Sequence, residues 1–170
     1  EQMIAQVAAA IKSSPMELVN KAQQTMNDLR QALHKVDKLS ARVAALRSVE
    51  MLNFAHTAGD SGVNVLAMKV DDMSSDMLRT LSDDLRDKAP NLVSVLALVT
   101  EEGKINFVAA CGKEAVKKGA HAGNIVREVA AICGGRGGGR PDMAQAGGKD
   151  YSKLAEALGL AEGLVAAQLK

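Results

Sequence analysis

Gly134-Gly135-Arg136-Gly137-Gly138-Gly139-Arg140-Pro141-Asp142-Met143-Ala144-Gln145-Ala146-Gly147-Gly148 is the stretch around which the rest of the chain is read. It holds seven of the 15 glycines. Glycine serves where φ must be positive or where backbone approaches something closely, and it loses the most conformational freedom on folding. Two readings follow: tight connections between packed elements, or backbone facing a ligand. Arg136, Arg140 and the following Lys149 would suit a phosphate or carboxylate. The residues before the run, Ile125, Val129 and Ile132, have helical spacing, so Gly134 reads as a helix C-cap. Phosphate loops and dinucleotide fingerprints have the opposite order, glycines after a strand and before a helix. No Gly-Lys-Ser/Thr triplet occurs. Nucleotide hydrolysis by this segment is excluded.

The same fifteen residues resemble the signature near the C-terminus of bacterial alanyl-tRNA synthetases. The flanks Ala122-Gly123-Asn124-Ile125-Val126 and Met77-Leu78-Arg79-Thr80-Leu81, with Asp83-Asp84-Leu85, look like that family's helices, and the resemblance runs from Asn64 to Lys170. It implies a noncatalytic C-terminal domain that helps hold tRNA(Ala) at its elbow, links aminoacylation with editing, and can contribute to dimerisation. It implies a parent enzyme, cytoplasmic, that joins alanine to tRNA with ATP and Mg²⁺ and edits mischarged tRNA in a separate Zn²⁺-dependent domain. No cofactor is expected in this segment, whose partners would be tRNA(Ala) and the parent's other domains. The globular part is also similar to the accessory domain of DHH-type phosphoesterases. That domain's glycine motif generally carries a histidine where this chain has Arg140.

Composition narrows the alternatives. With 47% hydrophobic residues in 170, a well-buried core is expected. No apolar run is long enough to span a bilayer, and no signal-peptide layout is present. The chain opens inside a helical pattern, which reads as a piece of a longer protein. Cys111 and Cys133 lack ligand-spaced partners and read as small buried hydrophobes in a reducing compartment. His34, His56 and His121 are scattered, and no nucleophile set stands out.

Net charge is +1, but residues 113–153 carry eight basic and four acidic residues. The excess around the glycine stretch suits a polyanion. Candidate nucleic-acid contacts are Lys113, Lys117, Lys118, Arg127, Arg136, Gly137, Gly138, Gly139, Arg140 and Lys149. Arg140 could instead pair with Asp142 or Asp150 and hold the loop's shape, while Met143 and Gln145 read as packing and loop hydrogen bonding. Phe54, Phe107 and Tyr151 are the only aromatic residues. That excludes a grip on single strands by stacking along several rings and leaves folded RNA, held by phosphates, sugars and shape.

Upstream, residues 1–53 read as a helical subdomain. Met3, Ile4, Val7 and Ile11 predict a helix over 1–12, stopped at Ser13-Ser14-Pro15. Ser14 and Glu17 form a candidate capping box, with Pro15 at the first helical position. A second helix is predicted from Pro15 to Ser48, with a heptad seam of Leu18, Ala22, Thr25, Leu29, Ala32, Val36, Leu39, Val43 and Leu46. At 1.5 Å per residue it would be about 50 Å long. Either an upstream segment covers the seam as a hairpin, or a second copy does in a homodimer.

Residues 54–62 read as a linker and 63–170 as a globular α/β nucleic-acid-binding subdomain. Strands are predicted over 63–70, 93–99 and 105–111, the last two as a hairpin and 93–99 as a central strand. Helices are predicted over 74–88, buried through Met77, Leu78, Leu81 and Leu85, and over 122–133. Asp142–Ala146 reads as a short edge strand. A final helical region starts at Asp150 and is interrupted at Gly159 or Gly163. The fold class is α/β: a helical hairpin or coiled-coil helix, then a small layered domain. Two rivals remain, a pure oligomerisation module and the substrate-binding half of a DHH-type phosphoesterase.

Overall fold

A computed structural model describes residues 2–169. The chain divides into two compact units, residues 1–40 and 41–170, with the cut inside the long helix. The first unit contains helix α1 (Gln2–Ala10) and the start of helix α2 (Leu18–Leu52). The expected capping box does not form, because the Ser14 hydroxyl donates to the Glu17 carboxylate at 3.2 Å instead of capping a backbone N–H. Residues 15–17 are therefore a turn, and α2 begins three residues later than predicted.

The predicted seam stays open. Leu29, Val36, Leu39 and Leu46 are about half or more exposed. The last turns of α2, which belong to the second unit, bury a different stripe, Ala44, Ser48 and Met51. The Ser48 hydroxyl donates to the Asp84 carboxylate and accepts from Lys88 at 2.8 Å, which ties this end of α2 to the helix that carries Asp84 and Lys88.

The globular unit is a six-stranded sheet in the order β1-β2-β3-β4-β6-β5. The strands are β1 (His56–Thr57), β2 (Asn64–Val70), β3 (Leu92–Val99), β4 (Ile105–Cys111), β5 (Arg136–Gly139) and β6 (Met143–Gly148). Strands β2 and β3 are parallel, joined by helix α3 (Ser75–Lys88); the other neighbours are antiparallel. The Ser74 hydroxyl caps α3 by accepting from the Met77 N–H, and Asp76 at its start and Arg86 and Lys88 at its end complement the helix dipole. Leu78, Leu81 and Leu85 are fully buried as expected, whereas Met77 is only half-buried.

Strand β3 is central, with period-2 alternation sending its side chains to both layers. Val93, Val95 and Ala97 join Ile105, Phe107 and Ala109 beneath helix α5 (Ala122–Ile132). Leu92, Leu96 and Leu98 join Leu66, Val108 and the α3 leucines on the other face. Helix α4 (Lys113–Lys117) is an unpredicted single turn, and β1 lies within the expected linker. Asp150 caps the turn at Tyr151–Lys153, followed by α6 (Leu154–Gly159) and α7 (Ala161–Gln168). The break falls after Gly159, while Gly163 sits inside α7.

The main correction concerns the glycine stretch. Asp142–Ala146 was expected at the sheet edge. Instead β6 lies between β4 and β5, and the glycine run itself forms the edge strand. Glycine is unfavourable in strands, so propensity hid this element.

Candidate nucleic-acid interface

Helix α5 delivers the chain to the hairpin through a Schellman close. The Gly135 N–H bonds the Ala130 carbonyl at 2.8 Å and the Gly134 N–H bonds that of Ala131 at 3.0 Å. Gly134 takes the left-handed φ of 63° that this geometry requires. The hairpin is then packed too closely for side chains at alternate positions. A Cβ on Gly135 would lie 1.7 Å from the Gly147 carbonyl oxygen, one on Gly137 2.2 Å from the Ala146 Cβ, and one on Gly139 2.8 Å from Ala144. From α5, a Cβ on Gly123 would meet the Gly139 carbonyl oxygen at 2.4 Å. Much of the glycine density is thus demanded by internal packing.

The candidate cations separate into groups. Lys113, Lys117 and Lys118 cluster on and just after α4, beyond the C-terminal end of β4. There Lys117 pairs with Glu114 at 2.7 Å and Lys118 donates to the Ser61 carbonyl at 2.7 Å. Arg140 is engaged by Asp142 through two bonds of 3.0 Å, with Arg86 reaching the same carboxylate at 3.6 Å. It holds the hairpin turn, the structural role open to it from the sequence.

Lys113, Arg127, Arg136 and Lys149 form no ion pair or side-chain hydrogen bond among the described residues. Arg127 projects from α5 over Gly138: a Cβ there would lie 3.5 Å from its guanidinium. Arg136 and Lys149 flank a cleft of about 630 Å³ at the opposite end of the hairpin from Arg140. Its other walls are Lys104, Ile105, Asn106 and the backbone of Gly134, Gly135, Gly147 and Gly148. Lys104 was missed from the sequence because it lies in the β3–β4 turn; it is mostly exposed and pairs with Glu102 at 2.6 Å.

A second cleft of about 350 Å³ shares Arg136, Asn106 and Gly147 and extends to Ser75, Leu78 and Gln145. The two therefore form one groove across the α3 side of β4, β6 and β5. The Asn106 amide donates to the Ser75 hydroxyl at 2.7 Å, which fixes its orientation. Asn106 could have been noticed as the polar residue of an otherwise apolar strand.

The residues lining the groove make no catalytic set. Cys111 lies buried on the opposite layer, where burial pushes its thiol up to about 12, and burial also raises Cys133. Among the described residues no three His, Cys, Asp or Glu side chains cluster closely enough to hold a metal ion. No described helix is long and apolar enough to cross a membrane.

Comparison with known proteins agrees with this fold. Residues 62–167 match the DHHA1 domain model. The crystal structure of the C-Ala domain from Aquifex aeolicus alanyl-tRNA synthetase superposes with a TM-score of 0.59 at 33% identity, covering 66% of this chain and 97% of that one. This chain belongs to the DHHA1 family, among the C-Ala domains of alanyl-tRNA synthetases. It is 43% identical over 160 residues to the alanine–tRNA ligase of Geobacillus thermodenitrificans and 39% identical over 168 residues to that of Clostridioides difficile. It spans 18% and 19% of those proteins' lengths. A DHH-domain protein described as a member of a family of ribosomal proteins shares the fold, with a TM-score of 0.55 at 15% identity.

Proposed function

We propose that this C-Ala domain is the noncatalytic tRNA-holding part of an alanine–tRNA ligase. Its parent would attach alanine to tRNA(Ala) with ATP and Mg²⁺ and edit mischarged tRNA in a separate zinc-dependent domain. This domain would help link the two functions. The observation that carries the reading is the set of cations without a partner among the described residues, Arg127, Arg136 and Lys149, beside a hairpin whose edge strand has no side chains from Gly137 to Gly139. Backbone N–H groups and cations at a bare edge suit phosphates and sugars, while the scarcity of aromatic rings disfavours single strands.

Fluorescence anisotropy with tRNA(Ala), an unrelated tRNA and a single-stranded oligomer of equal length tests it. Both tRNAs bind, the oligomer more weakly, and affinity falls as salt rises. Equal binding of the oligomer, or no binding at micromolar concentration, would refute the proposal. Self-association is a second role, supported by the exposed leucine and valine seam of α2. Sedimentation over a range of concentrations should show a dimer that Leu29→Glu/Val36→Glu reduces to monomer.

A further inference from the structure

Packing or backbone conformation accounts for six of the seven glycines in the hairpin region. Gly135, Gly137 and Gly139 have no room for a Cβ, and a Cβ on Gly148 would press at 3.0 Å on both Cys133 and Phe107. Gly134 and Gly138 have φ of 63° and 156°. Gly147 is the exception. A Cβ there would meet nothing nearer than the Ile105 carbonyl oxygen at 3.9 Å, and its φ lies outside the left-handed range. The fold does not need glycine at 147.

The sheet register shows what that glycine leaves open. Gly147 is directly opposite Asn106 on one side and Arg136 on the other. Directly opposed residues of antiparallel strands point to the same face, so Asn106, Gly147 and Arg136 form one row. The middle position has no side chain. Two strand spacings separate the outer residues, so the notch is about 10 Å wide between their backbones. Gln145 is the next residue of β6 on the same face, and Leu78 and Val108 form an apolar back wall. Asn106 Nδ2 donates to the Ser75 hydroxyl, and its Oδ1 accepts no hydrogen bond among the described residues. The Gln145 amide makes no hydrogen bond among the described residues. The notch opens at one end between Lys104, Arg136 and Lys149.

We infer that this groove takes a single unstacked nucleotide of the bound RNA. The base lies on Gly147, edged by the Asn106 and Gln145 amides and covered by the Arg136 guanidinium plane. Its phosphate sits between Lys104 and Lys149. Amide side chains can match a base edge, an arginine plane can replace the missing aromatic ring, and a glycine floor admits a flat ring. The inference rests on the proposed tRNA-holding role and adds that recognition includes one extruded nucleotide, beyond contact with the backbone.

Two measurements on the whole chain test it. In the first, backbone amide NMR follows titration with AMP, CMP, GMP and UMP and, separately, inorganic phosphate. A mononucleotide shifts Asn106, Gln145 and Gly147, whereas phosphate shifts only residues beside Lys104 and Lys149. In the second, anisotropy compares tRNA(Ala) binding by the wild type, Gly147→Leu and Asn106→Ala/Gln145→Ala, each first shown to melt cooperatively. Loss of the contacts to one base should lower the affinity of both variants by about tenfold while keeping the wild-type salt slope.

Both results are required. If tRNA binds but Gly147→Leu and the amide variant match the wild type, or if phosphate reproduces the mononucleotide shifts, the nucleotide groove is overturned and the tRNA-holding role stands. If wild-type protein fails to bind tRNA, both fall.

Discussion

The contrast between Gly135, whose Cβ would strike the Gly147 carbonyl, and Gly147 itself makes a sharp prediction. An alanine Cβ at 135 would sit 1.7 Å from the Gly147 carbonyl oxygen and 2.8 Å from the Gly148 Cα. Ordinary contact begins at about 3.4 Å, so the backbones must separate by about 1.7 Å. Strand β6 cannot yield freely, because it is paired to β4 from Met143 to Gly148 on its other side. Overpacking against backbone belongs at the upper end of the usual 1–3 kcal/mol. With a shift of about 2–4 °C per kcal/mol for a chain of this size, Gly135→Ala should melt about 6–12 °C below the wild type. Gly147→Ala meets open space, and removing a glycine from the unfolded chain favours the native state by about 0.4–1 kcal/mol. It should melt at or slightly above the wild type. Thermal melts by circular dichroism, with urea midpoints as a check, measure both. Equal melting of Gly135→Ala and the wild type, or equal losses in the two variants, would falsify the division of the glycines into packed and open.

Further consequences concern the second layer and the thiols. Burial alone would raise the Asp84 carboxyl, but hydrogen bonds from Lys88 at 2.6 Å and from the Ser48 hydroxyl, with the Lys88 charge, outweigh it and hold it below its ordinary value of 3.8. A carboxylate held low contributes stability above its unfolded pKa and loses it as pH falls through the folded value. The urea midpoint of Asp84→Asn should therefore lie below the wild type at pH 6, and the gap should close below about pH 4; a gap that persists in acid contradicts this. Cys111 and Cys133, both free and buried, should resist a thiol reagent at pH 8 in native protein and react fully in urea. Native labelling at the rate of a free thiol would show the α5 layer to be open.

Most elements were legible because their signals were local. Ser74 before an acidic turn and leucines at three- and four-residue steps define α3, and the doubly apolar Val93–Val99 run marks a central strand. The edge strand was hidden, since no propensity scale places Arg136–Gly139 in a sheet. Only its tight backbone pairing with β6, reinforced by α5 at Gly123 and Gly139, makes glycine acceptable there. The α2 seam was legible as heptad spacing, but the buried stripe at the end of the same helix was not. Heptad spacing picked out Val43 and Leu46, whereas the buried stripe is Ala44, Ser48 and Met51, whose middle residue hydrogen-bonds Asp84 and Lys88 of α3. At the groove, Arg136 and Lys149 could be named from charge alone. Lys104, Asn106 and Gln145 could not, because only strand register brings the start of β4 beside β6 and Arg136. Arg140 illustrates the converse, a prominent cation whose charge is answered two residues away by Asp142.

The central claim is that RNA phosphates are held by the free cations of the hairpin and not by its paired one. Salt-dependent anisotropy with tRNA(Ala), for the wild type, Arg136→Ala/Lys149→Ala and Arg140→Ala, tests it most directly. Each lost phosphate contact lowers the slope of log affinity against log salt by about one. The double variant should lose at least one unit of slope, from Lys149 at a phosphate, and Arg140→Ala should change it little. A wild-type slope in the double variant, or a larger loss from Arg140→Ala, would contradict the account.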